Sequence, residues 1–327
     1  MIQRLKSWIL NPKYTLLFLP LVPLSYIWGF IVALRRWLYE KKILPSYRSK
    51  VPVISIGNIT SGGTGKTPFI DLLLDRLNGA AVVSRGYGAQ CTGNVTAKGT
   101  EIIKKTDHDE TRLLAQHHPQ TLFALSKSKK EAVCAVEKDA RLILLDDGFQ
   151  HFQVQRDLDV VVLNALDLFG NGYVLPRGIL RESKKALKNA DLIVLNYATD
   201  SAVEQVRVYS DAPIICCKPV VTGYIDALTS KPVQRPNRVV LVSAIGSPES
   251  FQKTVESEGI TVFERFDFPD HSKIDFSRID MKGADSLLIS EKDWVRQTLP
   301  EKTIIVAQMK LKVLSGEEHL EMVTNIR

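Results

Sequence analysis

The sequence predicts an α/β protein with a doubly wound, mainly parallel sheet, a second, smaller α/β domain and an N-terminal membrane-associated helix. Three observations support this prediction. Short β-branched runs alternate with helix-like stretches after Lys50, similar runs resume after an irregular stretch near 213–237, and an uncharged apolar segment lies within the first fifty residues. Alternating strands and helices are typical of parallel sheets, because each crossover between parallel strands needs a helix-length connection.

The apolar segment, Tyr14 to Leu34, has 21 residues without a charge. That length could cross a bilayer, which needs about 20 apolar residues. Its prolines and glycine interrupt a regular helix, so it could equally form a hairpin or lie in the interface, and a buried core helix is a further alternative. No acidic residue precedes Glu40, and the basic flanks favour contact with anionic headgroups on the cytoplasmic side. We predict membrane association for residues 1–50, and the choice between spanning and lying on the surface stays open.

The charge balance is ordinary, and the cysteines favour a cytoplasmic compartment. Lysine and arginine total 43 and aspartate and glutamate 36, so the net charge of +7 is modest for 327 residues and does not indicate a nucleic-acid partner. The four cysteines show no metal-ligand spacing, and Cys216 and Cys217 are adjacent, which is a poor disulfide framework. A reducing cytoplasm is the simplest reading.

The strands are predicted where β-branched residues cluster, because strands buried on both faces have nearly continuous apolar runs. In a first domain at 51–165 and just beyond it, such runs occur at 51–58, 80–86, 141–148, 158–165 and 190–198. Helix-like segments lie at 66–77, 109–118 and 127–137. A second domain at 166–327 has runs at 238–246, 286–293 and 303–308.

A phosphate-binding turn is predicted in the stretch SIGNITSGGTGKTPFIDLLLDRL, Ser55 to Leu77, where a strand leads through glycines into a helix. Glycines let backbone N–H groups converge on an anion, and the helix N-terminus adds its dipole. We predict that a nucleotide is bound by Gly62, Gly63, Thr64, Gly65, Lys66 and Thr67. Lys66 would reach the β- and γ-phosphates, and the Thr67 hydroxyl would bind Mg²⁺. The main sheet is therefore predicted to be P-loop NTPase-like.

This turn departs from the strict phosphate-loop spacing, which asks for glycine at the position of Thr60. A chance Gly-Lys-Thr at a helix start is therefore the alternative. The strand–loop–helix context favours the nucleotide site.

A metal site is predicted where the apolar strand of LILLDDGFQ ends in Asp146 and Asp147. Mg²⁺ is a hard cation that prefers carboxylate oxygens and water, and a strand end beside the phosphate loop is where such a ligand is expected. Paired aspartates after a strand often form only a turn. Together with the loop they predict Mg²⁺ ligands.

Six motifs occur in order along most of the chain: GNITSGGTGKTP, SRGYG (84–88), LLDDGFQH (144–151), LPRGILRE (175–182), FDFPDH (266–271) and SEKD (290–293). Together they resemble the motifs of the tetraacyldisaccharide 4′-kinase family. The resemblance implies ATP- and Mg²⁺-dependent phosphorylation of the 4′-hydroxyl of a tetraacylated glucosamine disaccharide 1-phosphate in lipid A biosynthesis, forming lipid IV-A. It also implies a lipid substrate at the cytoplasmic face of a bacterial inner membrane, where basic residues near 35–50 could hold its phosphate. No protein partner is predicted.

The resemblance also implies two catalytic residues, Asp109 and His271, which complete a predicted catalytic set with Lys66 of the phosphate-binding turn. Asp109, in DHDETRLL, matches the aspartate of the family's Gly-Asp-Glu-Pro motif, and His271, in FPDH, matches its histidine. In the family this Asp–His pair takes the proton from the sugar hydroxyl. Asp109 could instead be a helix N-cap, and His271 an ordinary loop residue. His108 and Thr111 replace the flanking Gly and Pro, so the loop entering this helix could be shaped differently.

Glu182 is a further candidate metal ligand, although it could pair with Arg177 or Arg181 instead. Glu110, Gln150 and His151 are candidates for groups that surround the reacting residues. Two other functions stay open from the residues alone: a membrane-associated ATPase or GTPase switch without a lipid acceptor, and a nucleotide-sensing scaffold without chemistry.

Overall fold

The computed structural model describes residues 18–85, 95–281, 283–300 and 302–326. Positions 14–17 of the apolar segment and 86–88 of the SRGYG motif lie outside the described residues. The chain divides into two compact units, the first made of Met1–Lys218 and Val313–Arg327 and the second of Pro219–Lys312.

The first unit is built on a mainly parallel sheet. Its strands are β1 (Val53–Gly57), β2 (Ala80–Ser84), β3 (Val95–Lys98), β4 (Leu122–Leu125), β5 (Leu142–Asp146), β6 (Leu158–Asn164), β7 (Leu192–Asn196) and the start of β8 (Ile214–Asp226). Their order is β8-β7-β6-β1-β5-β2-β4-β3, and β3 runs antiparallel to β4. Every residue of β1, β2, β5 and β7 is buried, as the continuous apolar runs predict.

The first helix of this unit precedes the strands, and the helices that follow lie in the connections between them. These helices are α1 (Leu21–Glu40), α2 (Lys66–Leu74), α3 (Gly99–Lys105), α4 (Asp109–His117), α5 (Lys129–Val136) and α6 (Asp200–Arg207). Strand β1 is central, and its register places Ile56 beside Asp146 of β5. Since parallel strands end at the same edge of the sheet, the loops after β1 and β5 emerge side by side.

The predicted mainly parallel α/β sheet is confirmed, with two differences in detail. The first unit extends past residue 165, because β7 pairs with β6 and β8 with β7. Strands β3 and β4 were not expected, because four residues each give too short a pattern to recognise.

The second unit has its own parallel strands, β9 (Arg238–Ser243), β10 (Thr261–Asp267), β11 (Ser286–Ser290) and β12 (Ile304–Ser315). Its helices are α7 (Pro248–Ser257) and α8 (Glu291–Trp294). The predicted run 286–293 ends as a strand at Ser290, because the Ser290 hydroxyl accepts from Asp293 N and starts α8. Helix α9 (Glu321–Thr324) follows β12 and belongs to the first unit.

Helix α1 lies along the first unit with one narrow side buried. Ser25 donates to the Val174 carbonyl at 2.8 Å and accepts from Arg177 N at 2.9 Å. Large apolar side chains on the rest of its surface are 41–70% exposed: Leu24, Tyr26, Ile27, Trp28, Phe30, Ile31, Leu34 and Trp37. Among the described residues, α1 is the one helix long and apolar enough to cross a bilayer. A buried core helix, one of the alternatives from the sequence, would not expose these side chains.

Candidate active site

The first half of the glycine-rich turn is extended. Thr60 forms an antiparallel bridge with Leu180, and Ser61 N donates to the Ile179 carbonyl at 2.7 Å. An extended residue needs no positive φ, so a threonine serves at the position where the strict spacing has glycine.

The second half carries the conformations that require glycine. Gly62 and Gly65 have φ of 114° and 92°, in the region that side chains disfavour. Gly65 directly precedes α2, and a Cβ on it would collide with Asn196 Nδ2. The turn therefore needs glycine at residue 65 both for its backbone and for space.

Two buried side-chain amides hold Thr64, which lies between these two glycines. Asn196 Nδ2 donates to the Thr64 carbonyl at 2.6 Å, and Asn58 Nδ2 donates to the Thr64 hydroxyl at 3.3 Å. Asn58 is fully buried and Asn196 is 2% exposed. Both amides were missed from the sequence. The signal that could have identified them is the one that identified Asp146, a polar residue at the end of an apolar strand.

Lys66 and Thr67 are the first two residues of α2, at the end of the helix that favours anions. Lys66 Nζ lies 3.4 Å from Asp147 Oδ1. The structure thus brings the loop lysine and the predicted metal region together.

Asp147 lies between two cations. Arg181 Nη1 donates to both carboxylate oxygens, at 2.8 and 2.9 Å. Burial acts to raise the pKa of Asp147, but the charges of Lys66 and Arg181 outweigh it and hold that pKa well below its ordinary 3.8. Asp147 is therefore an ionised carboxylate that already has its counter-charges.

Asp146 has an uncommitted oxygen. Its Oδ2 accepts from Ser84 Oγ at 3.1 Å, whereas its buried Oδ1 has no hydrogen-bond partner among the described residues. Burial, followed by the charge of Glu110, raises the pKa of Asp146, against the lowering effect of Lys66 and Lys129. An orphaned carboxylate oxygen beside the phosphate loop fits Mg²⁺, which prefers such ligands.

Lys129 holds the backbone of this aspartate pair. Its Nζ donates to the Asp146 carbonyl at 2.5 Å and to the Asp147 carbonyl at 2.6 Å, and the residue is 1% exposed. Burial lowers its pKa to about 8, although Asp147 and Asp146 act to raise it. Sequence reasoning missed Lys129, and the available signal was a lysine at the first position of a helix, where the dipole disfavours a cation.

Asp109 begins α4 and is 3% exposed. Its Oδ1 accepts from Glu110 N at 2.9 Å. The N-cap position belongs to His108, so Asp109 is the first residue inside the helix. The charge of Glu110, the second residue of α4, acts to raise the pKa of Asp146 at the end of β5.

A shared carboxylate ties α4 to the loop helix α2. Asp71 Oδ1 contacts His117 Nδ1 at 2.9 Å and His118 Nε2 at 2.8 Å. Since Asp71 follows Lys66 on α2 and His117 ends α4, this cluster fixes the helix that carries Lys66 against the helix that carries Asp109.

His271 belongs to the second unit. Its backbone is left-handed with φ of 60°, its N donates to the Ala244 carbonyl at 3.1 Å, and its side chain is 51% exposed. Its ring Nε2 lies 3.7 Å from Asp270 Oδ2. The pairing of His271 with Asp109, which belongs to the first unit, remains a prediction.

The partner of Glu182 is Arg36 of α1, which lies 146 positions earlier in the sequence. Arg36 Nε and Nη2 donate to both carboxylate oxygens at 2.8–3.0 Å, and the two side chains are 9% and 4% exposed. The Arg36 guanidinium also lies 4.7 Å from the ring centroids of Phe149 and Phe152. Within the described part of the chain, no three His, Cys, Asp or Glu side chains form a cluster that could hold a metal by themselves.

Comparisons with known proteins agree over nearly the whole chain. A family model described as Tetraacyldisaccharide-1-P 4′-kinase matches residues 17–326. The tetraacyldisaccharide 4′-kinase of Syntrophotalea carbinolica is 34% identical over 315 residues, covering 89% of this chain and 87% of the relative. That of Chlorobaculum parvum is 33% identical over 332 residues, covering 91% and 92%.

A solved structure is similar as well. The crystal structure of LpxK from Aquifex aeolicus in complex with ATP has a TM-score of 0.75 and 27% sequence identity, and the match covers 94% of this chain and 99% of that one.

Proposed function

The chain belongs to the tetraacyldisaccharide-1-P 4′-kinase family, and from that premise we propose how its residues carry out the reaction. The chain is a phosphotransferase that uses ATP and Mg²⁺ to phosphorylate the 4′-hydroxyl of a tetraacylated glucosamine disaccharide 1-phosphate in lipid A biosynthesis. The observation that carries the residue assignment is the convergence of the glycine turn, Lys66 and the aspartate pair at one edge of the sheet.

The triphosphate is assigned to the turn Gly62–Thr67. Backbone N–H groups of such a turn, together with the N-terminus of α2, stabilise anionic oxygens. Lys66, which contacts Asp147 in this structure, would turn to the β- and γ-phosphates when the nucleotide binds. Arg181 is held near this site by its ion pair with Asp147 and would stabilise the negative charge that develops on the transferred phosphoryl group.

Mg²⁺ fits the oxygen donors at the end of β5. Asp146 Oδ1 and the Thr67 hydroxyl would hold it, since Asp147 and Glu182 already bind cations of the protein. When bound, the ion neutralises phosphate charge. In this proposal Asp147 positions Lys66 and Arg181, and Glu182 anchors α1 through Arg36.

Asp109 is assigned as the base, with His271 as its partner. The 4′-hydroxyl oxygen attacks the γ-phosphorus, and the new O–P bond forms as the bond to the β–γ bridging oxygen breaks. ADP leaves with that electron pair, and the hydroxyl proton passes to Asp109. Phosphoryl transfer depends mainly on positioning and charge neutralisation, so the base contributes a smaller share than the loop.

Membrane association is assigned to α1, at the cytoplasmic face of a bacterial inner membrane. The helix is held on the first unit at Ser25 and Arg36, and the large apolar side chains between these points are exposed. A helix docked along its length suits an interfacial position better than a span. A lipid acceptor would then approach the loop from the bilayer surface.

The kinase assignment is tested with purified protein, Mg-ATP and the disaccharide lipid. We expect phosphate on the 4′-hydroxyl and ATP turnover that depends on the acceptor. Lys66→Ala should abolish transfer, whereas Lys105→Ala, which removes a lysine from a comparable 3.5 Å ion pair with Glu101, should leave it unchanged. Hydrolysis at full rate without acceptor would favour the ATPase switch, which the family comparisons do not favour.

The membrane assignment is tested by co-sedimentation with vesicles. Replacing Ile27 and Phe30 of α1, which are 57% and 68% exposed, with glutamate should release the protein from the vesicles. Phe263→Glu, at a 46% exposed aromatic of the second unit, is the matched control and should remain bound. Retention of the α1 variant would contradict the interfacial role of this helix.

A further inference from the structure

His271 lies at the centre of a tight turn in the second unit. Ser272 N donates to the Pro269 carbonyl at 3.0 Å, which closes the turn around Asp270 and His271. With φ of 60°, His271 has a left-handed backbone, which is less favourable for a residue with a side chain than for glycine. A residue keeps such a conformation where the surrounding structure holds it, so the contacts around this turn matter for the histidine.

The first of these contacts is made by Ala244, the residue after β9. Its carbonyl accepts from His271 N at 3.1 Å and from Arg296 Nη2 at 2.8 Å. Its N–H donates to Asp293 Oδ1 at 3.1 Å, and the same carboxylate oxygen accepts from Arg296 Nη2 at 2.6 Å. Asp293 is fully buried. A buried ion pair thus fixes both backbone polar groups of the residue that binds the His271 backbone.

The second contact is made by the side-chain amide of Gln297, which binds the chain just after His271. Its Nε2 donates to the Ser272 carbonyl at 3.0 Å, and its Oε1 accepts from Ile274 N at 2.8 Å. An amide that both donates and accepts fixes the direction of the backbone segment that it spans. Gln297 directly follows Arg296, so both contacts come from one short stretch of the chain.

This stretch begins with the SEKD motif, to which the proposed reaction gives no role. Ser290 ends β11, and its hydroxyl accepts from Asp293 N at 3.1 Å and donates to Asp293 Oδ2 at 2.8 Å. Strands β9, β10 and β11 are parallel neighbours, so Ala244, the His271 turn and the motif follow their strands at the same edge of the sheet. The fold therefore places the motif beside the turn that carries His271.

We propose that Asp293, Arg296 and Gln297 form a clamp that positions His271 for the transfer step. This inference rests on the proposed function, in which His271 is the partner of the base Asp109, and it adds the residues that hold the histidine. The clamp fixes the backbone of His271 and leaves 51% of its side chain accessible. A fixed backbone restricts the positions that the ring can reach, which favours a productive geometry.

The test uses Gln297→Ala, because Asp293 is fully buried and its replacement would disturb the fold as well as the turn. We expect kcat for transfer to the lipid acceptor to fall about tenfold, with the KM values for ATP and acceptor within about twofold. In the His271→Ala background, Gln297→Ala should cause no further loss, because the residue that it positions is absent. Gln297→Glu should lie between Gln297→Ala and the unmodified protein, since it keeps the acceptor for Ile274 N and loses the donor to Ser272.

Hydrogen exchange followed by mass spectrometry reports on the turn independently of activity. In Gln297→Ala the peptide that covers residues 268–274 should exchange faster, because the amides of His271 and Ile274 are then less firmly held.

Gln252→Ala is the matched control, at a glutamine on α7 of the same unit that also uses both ends of its amide. Gln252 accepts from Arg265 Nη1 and donates to Glu256 Oε1, each at 2.7 Å. We expect this variant to leave transfer and the exchange of the peptide unchanged.

An equal loss from Gln297→Ala with and without His271 would overturn the proposal, because Gln297 would then not act through the histidine. Unchanged kcat in Gln297→Ala, whether or not the turn exchanges faster, would also overturn it. Unchanged kcat in His271→Ala alone would refute the role of His271, and the clamp with it, while leaving the kinase function intact. Absence of transfer by the unmodified protein would refute the kinase function itself, and with it any positioning for transfer.

Discussion

Asp146 and Glu182 are buried carboxylates that the sequence proposes as metal ligands, and the structure gives them opposite surroundings. At the end of β5, Asp146 has a buried oxygen without a hydrogen-bond partner in the described residues, and its pKa is raised, chiefly by burial. Under α1, Glu182 has both oxygens on the guanidinium of Arg36. The first carboxylate lacks a cation and the second already has one, so the partner, not the residue type, distinguishes a metal ligand from an anchor.

The largest expected effect is that of Asp146→Asn on catalysis. Losing a metal ligand should reduce kcat/KM about a thousandfold, roughly 4 kcal/mol of transition-state stabilisation. The free energy of unfolding without nucleotide should stay the same or rise, because the substitution removes a buried charge. Transfer assays and urea unfolding measure both quantities. A loss of activity below tenfold would place the metal elsewhere.

Arg36→Met should have the largest effect on stability. It leaves Glu182 buried without a counter-charge, which typically costs about 3 kcal/mol or more. Replacing both residues, as Arg36→Met with Glu182→Met, should recover most of that loss, because no charge is then left unpaired. Urea unfolding of the two single variants and the double variant gives the coupling energy. A double variant as unstable as the sum of the single ones would show that the ion pair is not what couples these positions.

Asp147→Asn should have an intermediate effect. Lys66 and Arg181 lose their shared carboxylate, so we expect kcat to fall about tenfold to a hundredfold while the metal dependence persists. The Asp147 side chain is 40% exposed, so the stability loss should stay below about 1 kcal/mol. Steady-state kinetics at several Mg²⁺ concentrations check this. Loss of the Mg²⁺ response would instead make Asp147 a metal ligand.

Asn196→Ala should have a smaller, nucleotide-specific effect. It removes the hydrogen bond to the Thr64 carbonyl, so the KM for Mg-ATP should rise about tenfold and the KM for the acceptor should not change. Asn164→Ala is the matched control, because Asn164 is the register partner of Asn196 on the neighbouring strand and its Oδ1 accepts from Leu166 N. Equal effects of both variants on ATP would argue against a specific hold on the loop.

The smallest effect expected is the pH dependence of stability, where Asp146 and Asp147 should act with opposite sign. The folded pKa of Asp147 is lowered, so its contribution is full above its ordinary pKa of 3.8 and is lost as pH falls below it. The folded pKa of Asp146 is raised, so its contribution is present at low pH and is lost as pH rises above 3.8. Urea unfolding gives the difference in free energy of unfolding between the unmodified protein and each asparagine variant, and across this range the two differences should change with pH in opposite directions. Two differences that change in the same direction with pH would contradict these assignments.

The sequence predicted what depends on local pattern. Continuous apolar runs identified β1, β5 and β7, and glycines before Lys66 identified the phosphate-binding turn. Strand β8 was missed because its thirteen residues mix buried and exposed positions and include Lys218 and Pro219.

The residues that support the site were missed for a different reason. Asn196 lies 132 positions from Thr64, and Arg36 lies 146 positions from Glu182. Contacts between residues so far apart in the chain cannot be inferred from the local pattern of a single sequence. The sequence therefore predicted candidate carboxylate ligands, but it could not show that one of them, Glu182, forms an ion pair with the buried Arg36.

Calorimetric titration of ATP with and without Mg²⁺ tests most directly whether Asp146, and not Glu182, supplies the metal ligand. The unmodified protein and Glu182→Gln should both bind ATP more tightly when Mg²⁺ is present, and Asp146→Asn should show no such gain. A gain that survives in Asp146→Asn and disappears in Glu182→Gln would contradict this assignment.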